Sequence, residues 1–79
     1  MAVDREKIVQ QALKFAEKKR YDKAIAEYYK LVHEDPNDAR ALLKIGDLQL
    51  KLEAYEASVE TYERVGRYYF QQGLVRKAS

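Results

Sequence analysis

The chain has 79 residues, with 15 Lys and Arg against 13 Asp and Glu, a net charge of +2, and no cysteine. A chain this short forms one compact unit at most and lies near the lower limit, about 70 to 80 residues, at which a single core sustains itself; disulfides and thiolate ligands are excluded, so packing and contacts with other chains must suffice. The two signs of charge are interspersed, with no basic stripe to imply a nucleic-acid partner, and no apolar run approaches the roughly 18 residues of a membrane helix.

From Met1 to Lys7 the chain turns charged at once and lacks the apolar segment of a secretory signal. With the missing cysteines this points to the cytoplasm. A first helix is predicted from Asp4 as N-cap, because Ile8, Ala12 and Phe15, flanked by Val9, Leu13 and Ala16, recur at four and three residues. So broad an apolar arc must touch two neighbours. Lys18-Lys19-Arg20 closes the helix, where cations suit the carbonyl end of its dipole.

A second helix is expected from about Asp22, with Ala24, Ile25, Tyr28, Leu31 and Val32 turned inward. It runs out in His33-Glu34-Asp35-Pro36-Asn37-Asp38, a turn in which Pro36 biases Asp35 away from helical backbone and Asn37 or Asp38 can cap the next helix. The third helix carries a wide apolar surface of Leu42, Leu43, Ile45, Leu48, Leu50 and Leu52. A fourth begins near Ala54 or Tyr55 and meets no breaker until Gly73, after which Leu74 to Ser79 reads as the opening turn of a fifth.

Laid against itself, the chain repeats. Tyr21 returns as Tyr55 and Tyr28 as Tyr62, both 34 positions later, while Ile8, Ala12, Ala24 and Ile25 return as Leu42, Gly46, Ser58 and Val59. A helix-turn-helix period of 34 with large, small, aromatic, small, aromatic and proline slots resembles the tetratricopeptide repeat family. Ile8, Ala12, Phe15, Ala24, Tyr28 and Pro36 fill those slots in the first unit, and Leu42, Gly46, Ser58 and Tyr62 in the second. The second unit departs at Gln49, where an aromatic is usual, and at Phe70, where the proline should stand. Small residues at these places let paired helices approach, and larger ones there would overpack. Gly66 to Ala78 repeats the twelve-residue interval of Ala12 to Ala24, with Tyr69 placed like Phe15 and Lys77-Ala78 like Lys23-Ala24.

The expected fold class is therefore all-α: antiparallel helix-turn-helix repeats stacked as a short right-handed superhelical α-solenoid. Residues 1–79 make one repeat domain or fragment, with units at 4–38 and 39–72 and a truncated third at 66–79 that shares the fourth helix.

The resemblance implies a concave groove lined by the first helix of each unit, which receives a peptide or helix of a partner protein. Carried over, its residues are Glu6, Val9, Leu13 and Glu17, then Arg40, Leu43, Lys44, Asp47, Leu50 and Lys51. The subgroup that grips carboxylate tails uses Lys and Asn there, where this chain has Val9 and Leu13. An aliphatic centre between cations and carboxylates suits an amphipathic helix or a mixed peptide. Tyr68, Tyr69 and Phe70 cluster at a helix end without a covering element, which predicts self-association, including exchange of helices between copies.

Other residues read as structural. His33 stands alone with no second imidazole to complete a metal site. Glu34 and Asp35 are turn formers, Ser58 fills a packing slot, and Gly46, Gly66 and Gly73 do not form a phosphate-cradling loop. Neither catalysis nor a cofactor is expected.

Overall fold

A computed structural model describes residues 4–78, with side chains as far as Leu74. Met1–Val3, Ser79 and the side chains of Val75–Ala78 lie outside the described residues, among them the Lys77-Ala78 pair expected to echo Lys23-Ala24. Four helices follow in order, α1 (Arg5–Glu17), α2 (Tyr21–Glu34), α3 (Ala39–Lys51) and α4 (Tyr55–Ala78), with no strand among the described residues. Each packs on its neighbour in the chain, α1 on α2, α2 on α3 and α3 on α4, in a thin array of 45 × 34 × 15 Å. This is the all-α stack of helical repeats that the spacing implies.

The period of 34 is written into the helix ends as well as the core. Asp4 Oδ1 accepts from the Lys7 amide at 3.1 Å, and Asp38 Oδ1 from the Ala41 amide at 3.1 Å. Each carboxylate satisfies an amide that the first helical turn would otherwise leave open. At the other ends, Lys19 and Glu53 both adopt a left-handed backbone with φ of 61°. The Arg20 amide then donates to the Phe15 carbonyl at 2.8 Å and the Lys19 amide to Ala16 at 2.9 Å, repeated by Ala54 to Gln49 at 2.8 Å and Glu53 to Leu50 at 2.9 Å. This double closure takes up the last free carbonyls, which offsets a left-handed cost of about 1–2 kcal/mol for a residue with a Cβ. Two reversals of direction result, and they set α2 against α1 and α4 against α3.

The core follows the small slots. Ala12 and Ala24 are wholly buried, with Tyr28, Leu31, Val32, Leu42, Ile45, Leu48 and Val65 around them, and Ile8, Phe15, Tyr21 and Ile25 pack against this cluster. In the second unit contact is tighter still. Ser58 Oγ donates to the Gly46 carbonyl at 3.0 Å, and a Cβ on Gly46 would stand 2.8 Å from Tyr62 Cε1. Only glycine fits without a shift.

The departure at Gln49 has a partner. The buried Thr61 hydroxyl lies 2.7 Å from Gln49 Oε1 and 2.9 Å from the Ala57 carbonyl, so a polar pair fills the volume of the usual aromatic without an unsatisfied atom.

α2 begins at Tyr21, within one residue of the expected start, which places the Asp22 carboxylate in the first turn where the dipole favours it. Two expectations need correction. Leu74 does not open a fifth helix, because α4 continues through Gly73 to Ala78. An isolated helical glycine costs only about 1 kcal/mol, and Phe70 keeps the amide donor that a proline would remove. Leu50 and Leu52, assigned to the apolar surface of α3, are exposed.

Candidate functional site

Between the first turns of α1 and α3 lies an open depression of about 470 Å³. Its walls are Arg5 and Val9 from α1, Tyr28 from α2, and Arg40, Ala41, Leu43, Lys44 and Asp47 from α3. Helical spacing explains the set: Arg40, Leu43, Lys44 and Asp47 fall on one face of α3, while Arg5 and Val9 are one turn apart on α1. Tyr28 and Ala41 are buried and make an apolar floor, and Leu43 stands exposed at the rim.

A bidentate ion pair holds the two helices in register. The Arg5 guanidinium donates to both oxygens of Asp38, Nη2 reaching Oδ1 at 3.2 Å. The same carboxylate caps α3, so one side chain fixes where α3 starts and how far it stands from α1. Burial alone would raise the Asp38 carboxyl, but the Arg5 hydrogen bond, the Ala41 amide and the charges of Arg5 and Arg40 together hold it below the usual carboxylate range. The Asp38 hydrogen bond likewise keeps Arg5 protonated more firmly than usual, against a smaller opposing effect of burial. Burial pushes the Tyr28 phenol up.

On the other wall, the Tyr62 hydroxyl donates to Asp47 Oδ1. That bond, followed by partial burial and the Asp47 charge, raises the Tyr62 phenol against the opposing hydrogen bond of Ser58. Asp38 and Asp47 are thus both engaged within the protein. Arg40 and Lys44 form no salt bridge among the described residues and are exposed. The depression therefore has an apolar floor and two available cations.

Residues 15–79 match a tetratricopeptide repeat family model. The chain belongs to the tetratricopeptide repeat family. Neither the curated proteins nor the solved structures yield a match. Tetratricopeptide repeats generally mediate protein–protein interaction. In tetratricopeptide terms, the helix pairs α1–α2 and α3–α4 carry the small slots Ala12, Ala24, Gly46 and Ser58, all buried, and Pro36 sits in the turn between the pairs, where its carbonyl accepts from Arg64 Nη2 at 2.9 Å.

Of the residues carried over to a tetratricopeptide groove, the depression brings together Val9, Arg40, Leu43, Lys44 and Asp47. Glu6, Leu13, Glu17 and Leu50 are exposed but do not line it, and Lys51 instead holds its ammonium 5.8 Å above the Tyr21 ring. The sequence reading missed Arg5, Tyr28 and Ala41 as lining. Tyr28 was assigned to packing, and it serves both roles because its ring spans from core to floor. Arg5 had a signal, since it lies 33 residues before the Asp38 cap and one turn before Val9, but nothing local tied it to α3.

At the far end, Tyr68 is half-buried with its ring 5.6 Å from that of Tyr69 at 57°, and Tyr69 and Phe70 are exposed. His33 is exposed, and Asp35 accepts from the Asn37 amide at 3.1 Å, a turn-forming role. Among the described residues, no group of three or more potential metal ligands occurs and no helix is long and apolar enough to cross a membrane.

Proposed function

We propose that the chain is a non-catalytic scaffold that binds a helix or extended peptide of a partner protein in the α1–α3 depression. The observation that carries this reading is the apolar floor of Tyr28 and Ala41, with Val9 in the wall and Leu43 at the rim, beneath Arg40 and Lys44, whose charges no internal carboxylate neutralises by a salt bridge among the described residues. An amphipathic segment with an aliphatic anchor and flanking carboxylates matches that chemistry. The sequence composition suits a cytoplasmic protein without a nucleic-acid, membrane or cofactor partner.

Selection of peptides from a random display library should return sequences pairing an aliphatic residue with acidic ones. Leu43→Glu with Lys44→Glu should weaken those peptides at least tenfold and leave far-UV circular dichroism unchanged, since both side chains are exposed. Equal binding to the variant overturns the groove assignment.

A second reading is homo-oligomerisation through the open C-terminal helix, by surface contact or exchange of helices. Tyr69 and Phe70, exposed on the part of α4 that follows Val65, the last of its buried side chains among the described residues, favour it.

A further inference from the structure

α4 carries a second apolar face, which Tyr62, packed on Gly46 and bonded to Asp47, borders on the side of α3. Tyr55, Val59, Tyr62, Gly66, Tyr69 and Gly73 recur at four and three residues along it, with Phe70 and Leu74 beside them, whereas Ser58, Thr61 and Val65 point into the core. Tyr55, Val59, Tyr69, Phe70 and Leu74 are each more than half exposed. Nothing lies within 4 Å of where a Cβ on Gly66 or Gly73 would stand. The 34-residue correspondence shows what such a face does elsewhere in the molecule. Tyr21, Ile25, Tyr28 and Val32 are the counterparts on α2, and all four pack against the core.

A second copy cannot cover this face by simply extending the stack. Gly46 and Gln49 face α4, which leaves Ala41, Ile45 and Leu48 to receive α2, and all three are buried. Their counterparts on α1 are Lys7, Gln11 and Lys14, all exposed. Docking α4 on α1 of the next copy would bury two lysine charges, at a prohibitive cost in desolvation.

Charge along α4 selects a different arrangement. Its first half carries Glu56, Glu60 and Glu63, and Arg64 and Arg67 follow, with Arg76 and Lys77 further along the sequence. A parallel pair of such helices sets like charges together; an antiparallel pair sets acid against base. Glycine placement agrees, because an antiparallel pair with its two-fold axis close to Arg64 puts Tyr55 opposite Gly73 of the second copy and Val59 opposite Tyr69, and brings Glu60 close to level with Arg67. Resting on the self-assembly reading above, we infer that α4 is a self-recognition helix that closes an antiparallel two-fold dimer rather than an open stack. Five half-exposed apolar side chains offer about 100 Å² each, so both copies together bury about 1,000 Å², at the lower edge for a specific interface. The dimer is therefore weak and concentration-dependent.

The full chain has no cysteine, so single spin labels can be placed at Glu56→Cys and, separately, at Glu63→Cys. Sedimentation up to millimolar concentration should show monomer and dimer only, and the label-to-label distance across the dimer should be about 10–15 Å shorter at 63 than at 56, from the rise per residue and the spacing of packed helices. Phe70→Glu should weaken the dimer at least tenfold with helicity unchanged. Equal distances at the two positions, or species larger than dimers, overturn the antiparallel pair but keep self-assembly. A dimer indifferent to Phe70→Glu overturns the choice of face. A strict monomer at millimolar concentration overturns both this inference and the self-assembly reading.

Discussion

Replacing Gly46 with alanine sets two effects of opposite sign against each other. In a helix interior the change should stabilise by about 1 kcal/mol, because alanine loses less backbone freedom on folding. At this position the new Cβ would stand 2.8 Å from Tyr62 Cε1, 3.0 Å from Cζ and 3.2 Å from Cδ1, so the ring must move. It cannot move freely, since its hydroxyl is bonded to Asp47 and its neighbour Ser58 is bonded to the Gly46 carbonyl. Overpacking of this kind costs about 1–3 kcal/mol, which offsets the propensity gain and leaves a net loss of up to about 2 kcal/mol. In a domain whose core supplies about 3–5 kcal/mol in all, that is a large fraction. Urea denaturation followed by far-UV circular dichroism should show a lower midpoint with an unchanged slope. Gly66→Ala is the control: with open space around it, it should gain the full propensity term. If Gly46→Ala stabilises as much as Gly66→Ala, close packing of α3 on α4 is not what keeps this residue small, and the argument for the small slots fails.

Two further outcomes concern the polar contacts. Thr61→Val leaves the buried Gln49 amide without its partner and should destabilise by about 1–3 kcal/mol, whereas Thr61→Val with Gln49→Leu should recover most of the loss; equal destabilisation by the single and double variants, read from denaturation midpoints, would mean the pair is not coupled. Asp38, whose folded carboxyl lies below its unfolded value, contributes stability that is complete above the unfolded pKa and is lost as pH falls through the folded one. Asp38→Asn should therefore flatten the acid limb of the stability profile below the ordinary carboxylate range, and an unchanged limb would refute the role of the Arg5 pair.

How much of the fold is legible in the sequence depends on the range of the forces involved. Apolar spacing, the Asp4 and Asp38 caps, and the turn at Pro36 act within one helical turn, and each places its element to within a residue. The reversals at Lys19 and Glu53 carry no such mark, because neither is glycine and the left-handed backbone is held by carbonyls behind it. Gly73 misleads for the opposite reason: it looks like a stop, but a glycine ends a helix only where the backbone turns left-handed, and no glycine of the described chain does.

Four helices, their order, the period that relates them and the need for small residues at Ala12, Ala24, Gly46 and Ser58 are written in the amino-acid order, since these depend on neighbours three, four or twelve positions away. It took the packed helices to establish that Arg5 reaches Asp38, that Thr61 completes Gln49, that Tyr28 floors the groove, and that Leu13 and Leu50 lie outside the depression. Those facts depend on the angle and distance between whole helices. Such geometry is a sum over many packed side chains, and no single residue or local pattern encodes it.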